Sequence, residues 1–262
     1  MIHQLAAVDR RAKIGKDVII EPFTTIAGDV EIGDGTWIGP NVTIMDGARI
    51  GKNCRVFPGT VISAIPQDLK FDGEDTKTII GDNTTLRECV TINRGTKALG
   101  FTKVGNNCLI MATSHIAHDC IVGNNVIIAN GCGIAGHVEI DDFTVMGGLS
   151  AVQQFGKIGK HTMISGGSLI RKDIPPYVKV GREPISYAGI NSVGLRRRGF
   201  SNERIFEIQK VYRAIFQMKM NVSQALTYIE KELPATEDRD EIVEFIKNSP
   251  RGIVKGYGSG KE

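Results

Sequence analysis

Residues 114 to 120, Ser-His-Ile-Ala-His-Asp-Cys, put His115, His118 and Asp119 within five residues of one another, in a stretch otherwise aliphatic or small. Gly136 follows His118 by eighteen residues, and His137 follows Asp119 by the same interval. Side chains of these types support two chemistries. Three imidazoles and a carboxylate are a donor set that zinc accepts. A histidine beside an aspartate is also a general base with its support. The carboxylate fixes one ring tautomer and stabilises the imidazolium that forms, a device worth roughly 10² to 10⁴ in rate. No Gly-x-Ser-x-Gly elbow is present to suggest a serine nucleophile.

Which of these groups meet is decided by a repeat. From Ile2 to Ile170 a large aliphatic residue recurs every sixth position; of the 29 positions in that phase only Asp68, Glu74 and Ala98 depart. Glycine often follows the aliphatic, and the fifth residue of each hexad is small or β-branched, as at Thr24, Thr36, Ser114 and Val126. A period of six fits neither a helix face nor simple strand alternation. It fits a chain that turns a corner every hexad, so three hexads close one triangular coil of a parallel β-helix. Stacked coils bury a continuous core and stabilise one another, as in any solenoid. Cys54, Cys108, Cys120 and Cys132 occupy the fifth, inward position and read as core spacers; Cys89 alone is out of phase. The ladder breaks at 63–79 and 93–103, which predicts two polar loops projecting from the prism.

An 18-residue coil sets each residue above the one eighteen earlier. Gly136 should then lie over His118 and His137 over Asp119, with Gln154 and Phe155 one coil further. Their hexad positions point these side chains outward, toward solvent or another subunit. His118, an open space above it and the Gly136 N–H would fall within one coil step of about 4.8 Å. That arrangement suits direct acyl transfer from a thioester to a hydroxyl, with the N–H receiving the developing oxyanion. A flat prism wall encloses nothing, and small-molecule sites are concave. Prisms side by side make clefts, which predicts a homotrimer with its sites between subunits.

The rest of the chain bounds the function further. It is 41% apolar and 23% charged over 262 residues with a net charge of +3, a globular composition with no leader-like segment or apolar run long enough for a membrane, and the expected location is the cytoplasm. Five cysteines without a CxxC pair argue against disulfides and a cysteine zinc site. Between Arg171 and Arg198 there are seven basic residues against two acidic ones, a local +5 that suits an acidic partner or a phosphate better than a nucleic acid. Pro175 and Pro176 should end the solenoid, dividing the chain into a β-helix at 1–175 and a helical domain at 176–262. In the latter, helices are expected near 190–198, after an N-cap at Ser201, and over 222–232 and 237–248.

The segments IPQDLKFDGE, INRGT, SHIAHDCIVGNN, IAGHVEIDDF, VMGGLSAVQQF, DIPPYVKVGREP and GINSVGLRRRGF resemble the UDP-N-acetylglucosamine O-acyltransferases of lipid A biosynthesis, almost end to end. The resemblance implies a left-handed parallel β-helix with a C-terminal helical domain. It implies transfer of an (R)-3-hydroxyacyl chain from acyl carrier protein to the 3-hydroxyl of UDP-N-acetylglucosamine. No cofactor is implied beyond the phosphopantetheine thioester, and no metal. It makes His118 the base, Asp119 its support and Gly136 the oxyanion donor. Gln67, Asp68, Lys70, His115, His137 and Gln154 become contacts to the sugar nucleotide. Asn191, Arg197 and Arg198 become contacts to the nucleotide or phosphopantetheine, and Gly166 the position that sets acyl length. The chain departs from the family pattern at Asn93 and Gln153, where histidine is usual, and at Val193, where glutamate is. The alternatives are another hexapeptide acyl- or acetyltransferase, a β-helix zinc enzyme, and a scaffold. The zinc enzymes' histidine pair five apart on neighbouring walls is absent.

Overall fold

The computed structural model describes residues 1–256. Aliphatic residues every sixth position produce strands of mostly two residues, each pairing in parallel with the strand one coil on. Ile116 faces Ile134, which faces Val152, and His115, Gly133 and Ala151 keep the same register. Three sheets of nine, eight and ten strands form the walls of a left-handed prism. Its axis is filled by the aliphatic ladder, with Ile38, Ile62, Ile92, Ile116 and Ile134 fully buried. Prism corners fall at the fourth hexad residue, where the backbone enters the left-handed region: Asn107 and Asn125 have φ of 56°, Asp119 58°, His137 60° and Phe155 63°. Asparagine tolerates that conformation best among residues with a Cβ.

Fifth-position residues are buried as the repeat requires, but they are more than spacers. Thr24 donates its hydroxyl to the Gly39 carbonyl at 2.7 Å, Ser114 to Ala129 at 2.9 Å, and the Cys120 thiol to Ala135 at 3.1 Å, each fifteen residues along. Each bond satisfies a corner carbonyl of the next coil from inside the prism. Burial pushes the Cys120 thiol up to about 12, so it remains a protonated donor.

The two projecting loops are shorter than the breaks in the ladder. Strands Val61–Ala64, Lys77–Ile80, Thr91–Asn93 and Phe101–Val104 extend into them, leaving 65–76 and 94–100 as loops. Pro175 and Pro176 do not end the sheet either. Val178–Gly181 pairs in parallel with Met163–Ile164, and Ser186–Ile190 folds back on it antiparallel. The prolines sit just before that strand, where no ladder N–H is lost. Four helices follow: α1 (Ser192–Arg197), α2 (Asn202–Gln217), α3 (Val222–Glu232) and α4 (Glu237–Lys247). Ser201 caps α2 through the Arg204 N–H, and α3 opens on a reciprocal Asn221–Gln224 capping box. Tyr212 and the Ile205, Ile208, Val211 and Ile215 stripe of α2 are buried. The chain then returns to the prism, where Ile253 bridges to Asp173.

The outer faces of the three walls differ. The eight-stranded wall carries Lys13, Glu31, Arg49, Glu139 and Lys157, joined in part by ion pairs such as Lys13–Glu31 at 2.9 Å. The ten-stranded wall presents Ile19, Trp37, Arg55, Thr85, Leu109, Ile127, Val145, Met163 and Lys179 at the same positions, with an unbroken apolar stretch from Leu109 to Met163. The first wall is mostly charged, and the second is apolar over the four coils from Leu109 to Met163.

Candidate active site

The corner between the nine- and eight-stranded sheets carries the chemistry. Asp119 leaves the prism as its hexad position requires, yet its side chain is completely buried, because loop 94–100 folds over it. The repeat points the outward groups toward solvent or another subunit; Asp119 instead faces a loop of its own chain. Thr96 donates both its hydroxyl, to Asp119 Oδ2 at 2.7 Å, and its N–H, to Oδ1 at 3.0 Å; the Leu99 N–H adds a third bond to Oδ1 at 3.2 Å. Burial is the largest single influence on this carboxyl and pushes it up, but the Thr96 bonds, the bond to His118 and the charge of His137 together hold it below the usual carboxylate range. Asp119 is therefore an acceptor only. The 2.8 Å contact between its Oδ2 and His118 Nδ1 must be an Nδ1–H donation.

That tautomer leaves His118 Nε2 with a free lone pair, and it carries no hydrogen bond among the described residues. Gly136 lies directly over the ring. A Cβ built there would sit 2.6 Å from His118 Cε1 and 2.7 Å from Nε2, so only glycine leaves room for the imidazole. The Gly136 N–H donates to no atom among the described residues. At the next corner round the prism, the equivalent N–H groups of Lys16, Lys52, Asn106 and Asn124 are taken by Asp34, Asp82, Asn124 and Asp142 at 2.6 to 2.9 Å. His137 packs behind the pair, edge-on to His118 at 5.1 Å and stacked on Phe155 at 4.6 Å, with its Nε2 3.7 Å from Asp119.

Beside this corner runs an open groove of about 780 Å³. It brings together His118, His115, Gly136, Gln154, Gln67, Asp68 and Lys70, from three successive coils and the 65–76 loop. Its floor is made of Gly133 and Ala151 on the outer face of the nine-stranded wall, small residues that sequence reading did not single out. Leu69, at the loop tip, also lines it and is fully exposed. Asp68 has a shaping role, since its carboxylate accepts the Lys70 N–H at 3.0 Å. His115 is tied to Thr91 at 2.7 Å; burial and the neighbouring His118 push its ring below the usual imidazole range. His137 does not line the groove.

Four residues implied by resemblance lie elsewhere. Gly166 sits over Gly148 at a second corner, its added Cβ 3.1 Å from the Gly148 carbonyl. Asn191 caps α1 and donates to the His161 carbonyl at 2.9 Å, at the third corner. Arg198 lies there too, 5.0 Å over Phe143, and Arg197 is exposed one residue away. A single chain thus spreads these groups over three corners. Of the departures, Asn93 donates to the Ile65 carbonyl at 3.1 Å and Val193 is exposed on α1.

The donor atoms of His118, Asp119 and His137 lie within 4.8 Å of one another, close enough to consider a cation. Both Asp119 oxygens are already occupied by Thr96, Leu99 and His118, and the His118 nitrogen nearest the carboxylate holds a proton. An ion there would have to break that set, so these residues do not fit a metal.

The family model for UDP N-acetylglucosamine O-acyltransferase domain 2 matches residues 173–254, and the bacterial transferase hexapeptide model matches 11–36, 30–64 and 101–136. An acyl-(acyl-carrier-protein)–UDP-N-acetylglucosamine O-acyltransferase of Janthinobacterium sp. is 44% identical over 97% of this chain and 99% of its own; one from Aliarcobacter butzleri is 46% identical over 96% and 97%. The crystal structure of the UDP-N-acetylglucosamine acyltransferase of Francisella novicida superimposes with a TM-score of 0.95 at 40% identity, covering 99% of this chain and 95% of that one. Across the solenoid, the buried dyad and the helical tail, this chain belongs to the UDP-N-acetylglucosamine O-acyltransferase family.

Proposed function

We propose that the protein transfers an (R)-3-hydroxyacyl chain from acyl carrier protein to the 3-hydroxyl of UDP-N-acetylglucosamine, the first step of lipid A biosynthesis. The observation that carries the mechanism is the buried Asp119 fixing His118 Nδ1–H, which leaves Nε2 without a hydrogen bond in the groove, under Gly136. His118 Nε2 takes the proton of the sugar hydroxyl as its oxygen attacks the thioester carbonyl. The tetrahedral oxyanion accepts the Gly136 N–H, an interaction worth roughly 3 kcal/mol. Collapse breaks the carbon–sulfur bond, and the thiolate takes the proton back from the imidazolium. No covalent enzyme intermediate and no cofactor enters.

Gln67, Asp68, Lys70, His115 and Gln154 line the groove in which the sugar nucleotide would lie, with His137 buttressing the dyad. Gly166, Asn191, Arg197 and Arg198 contribute if a second copy brings its corners to the first. The apolar Leu109–Met163 stretch of the ten-stranded wall supplies a face for that contact, and a homotrimer closes it symmetrically. The basic 171–198 segment suits the acidic carrier protein. No helix among the described residues is long and apolar enough to cross a membrane, in keeping with a cytoplasmic enzyme drawing on soluble substrates. The test is an assay of purified protein with UDP-N-acetylglucosamine and acyl carrier protein thioesters of graded length, scored by product mass. Transfer from a 3-hydroxyacyl donor is expected; no transfer from any donor would overturn the reading.

A further inference from the structure

Segment Asn93–Thr96 joins the two working parts of the groove. At the start of the 65–76 loop, the Arg94 N–H donates to Ala64 at 3.0 Å, beside the Asn93–Ile65 bond. At its end, the Thr76 hydroxyl donates to the Gly95 carbonyl at 2.6 Å. The next residue, Thr96, reaches the other way, onto Asp119. Its hydroxyl and His118 Nδ1–H share one oxygen, Oδ2, at 2.7 and 2.8 Å.

We propose that Thr96 is a positioning residue for acyl transfer, its hydroxyl acting through Asp119 to hold His118 in the tautomer that leaves Nε2 free. The proposal rests on His118 being the base. The physical case is the burial of Asp119. Its side chain has no solvent contact, so water cannot stabilise its charge, and the protein must supply every donor. The three donors besides His118 come from one loop, and Thr96 gives two of them. Without its hydroxyl, Oδ2 keeps His118 as its one hydrogen-bond donor, with His137 Nε2 3.7 Å away. The unshared oxygen then holds the imidazolium more firmly, and the aspartate is freer to turn away from the geometry that sets the ring. The link to Ala64 and Thr76 makes the same segment the anchor of the loop carrying Gln67 and Lys70, which aligns the acceptor groove with the base.

Thr96→Val keeps the shape and both backbone donors and removes the hydroxyl; Thr96→Ser keeps the hydroxyl. The expected result for Thr96→Val is a fall in kcat of about tenfold or more with KM for both substrates within about twofold, and an acid limb of the kcat profile displaced to higher pH by about half a unit. Thr96→Ser should restore both the rate and the limb. Wild-type kcat with an unmoved limb in Thr96→Val would overturn the proposal. So would an equal loss in both variants without a limb shift, which marks loop packing alone. Failure of the underlying reading is distinct, because His118→Ala would then transfer at the wild-type rate whatever the Thr96 variants do.

Discussion

Gly136 and His118 sit one coil apart and in contact: the hydrogen that stands for a side chain on Gly136 points at the imidazole, where a methyl carbon would lie 2.6 Å from Cε1. Gly136→Ala must therefore push the ring off Asp119 or shift the corner. Transfer is expected to fall about a hundredfold, by displacement of the proposed base. Wild-type turnover in this variant would separate Gly136 from the reaction.

Removing the proposed base gives the direct measure. His118→Ala is expected to lower kcat by at least about a hundredfold, with the assembly and the melting transition retained. Near-wild-type turnover would refute the general-base assignment.

Gly166 stands at a different corner, with room for a side chain if the Gly148 carbonyl yields a few tenths of an ångström. Gly166→Met should move the preferred donor to shorter acyl chains, read from competition among donors of graded length. An unchanged profile would remove Gly166 from length selection.

His161 is 93% buried, since 7% of it is exposed, and it is stacked between Phe143 at 4.8 Å and Tyr177 at 5.7 Å with Nδ1 unpartnered. Burial, with the charge of Arg198, lowers its ring to about 4. The unfolded chain binds a proton from about pH 6.5 downward and the folded chain only near 4, so this contribution is complete above 6.5 and is lost as the pH falls toward 4, by roughly 3 kcal/mol at most. Denaturant melts of His161→Phe should show a shallower loss of stability over that window than wild type. Parallel curves would show that His161 does not titrate on unfolding.

Ile127 lies outward on the apolar stretch of the ten-stranded wall, half-buried in the single chain. With the proposed homotrimer, Ile127→Glu is expected to reduce the sedimenting mass to that of one chain and abolish transfer, because the groups on the other two corners would lose their partner. An undisturbed oligomer would place the subunit contact on another face.

Much of this was legible in the residues themselves. The sixth-position ladder gives the coil, and the coil gives Gly136 over His118 without any structure. Ser201 as a cap and the Ile205–Ile215 stripe followed from helix periodicity. What the repeat could not show lies outside it. Loop 94–100 burying Asp119 depends on backbone N–H groups, which no side-chain pattern reveals; only the hydroxyl of Thr96 left a trace. The strand at Val178–Gly181 was hidden by the two prolines, whose effect depends on which edge they face. The floor at Gly133 and Ala151 was missed because small residues in a solenoid read as ordinary spacing.

Asp119, His137 and Phe155 share the backbone conformation of Asn107 and Asn125, φ within a few degrees, although their side chains have nothing in common. The left-handed corner costs a residue with a Cβ about 1 kcal/mol or more, least for asparagine, and the neighbouring coils hold the main chain there for His137 and Phe155 as they do for Asn107 and Asn125. A solenoid of this kind works as a rack of equivalent sockets. A reactive group can be fitted, exchanged or withdrawn at any socket by a single substitution, and the frame that aims it does not move.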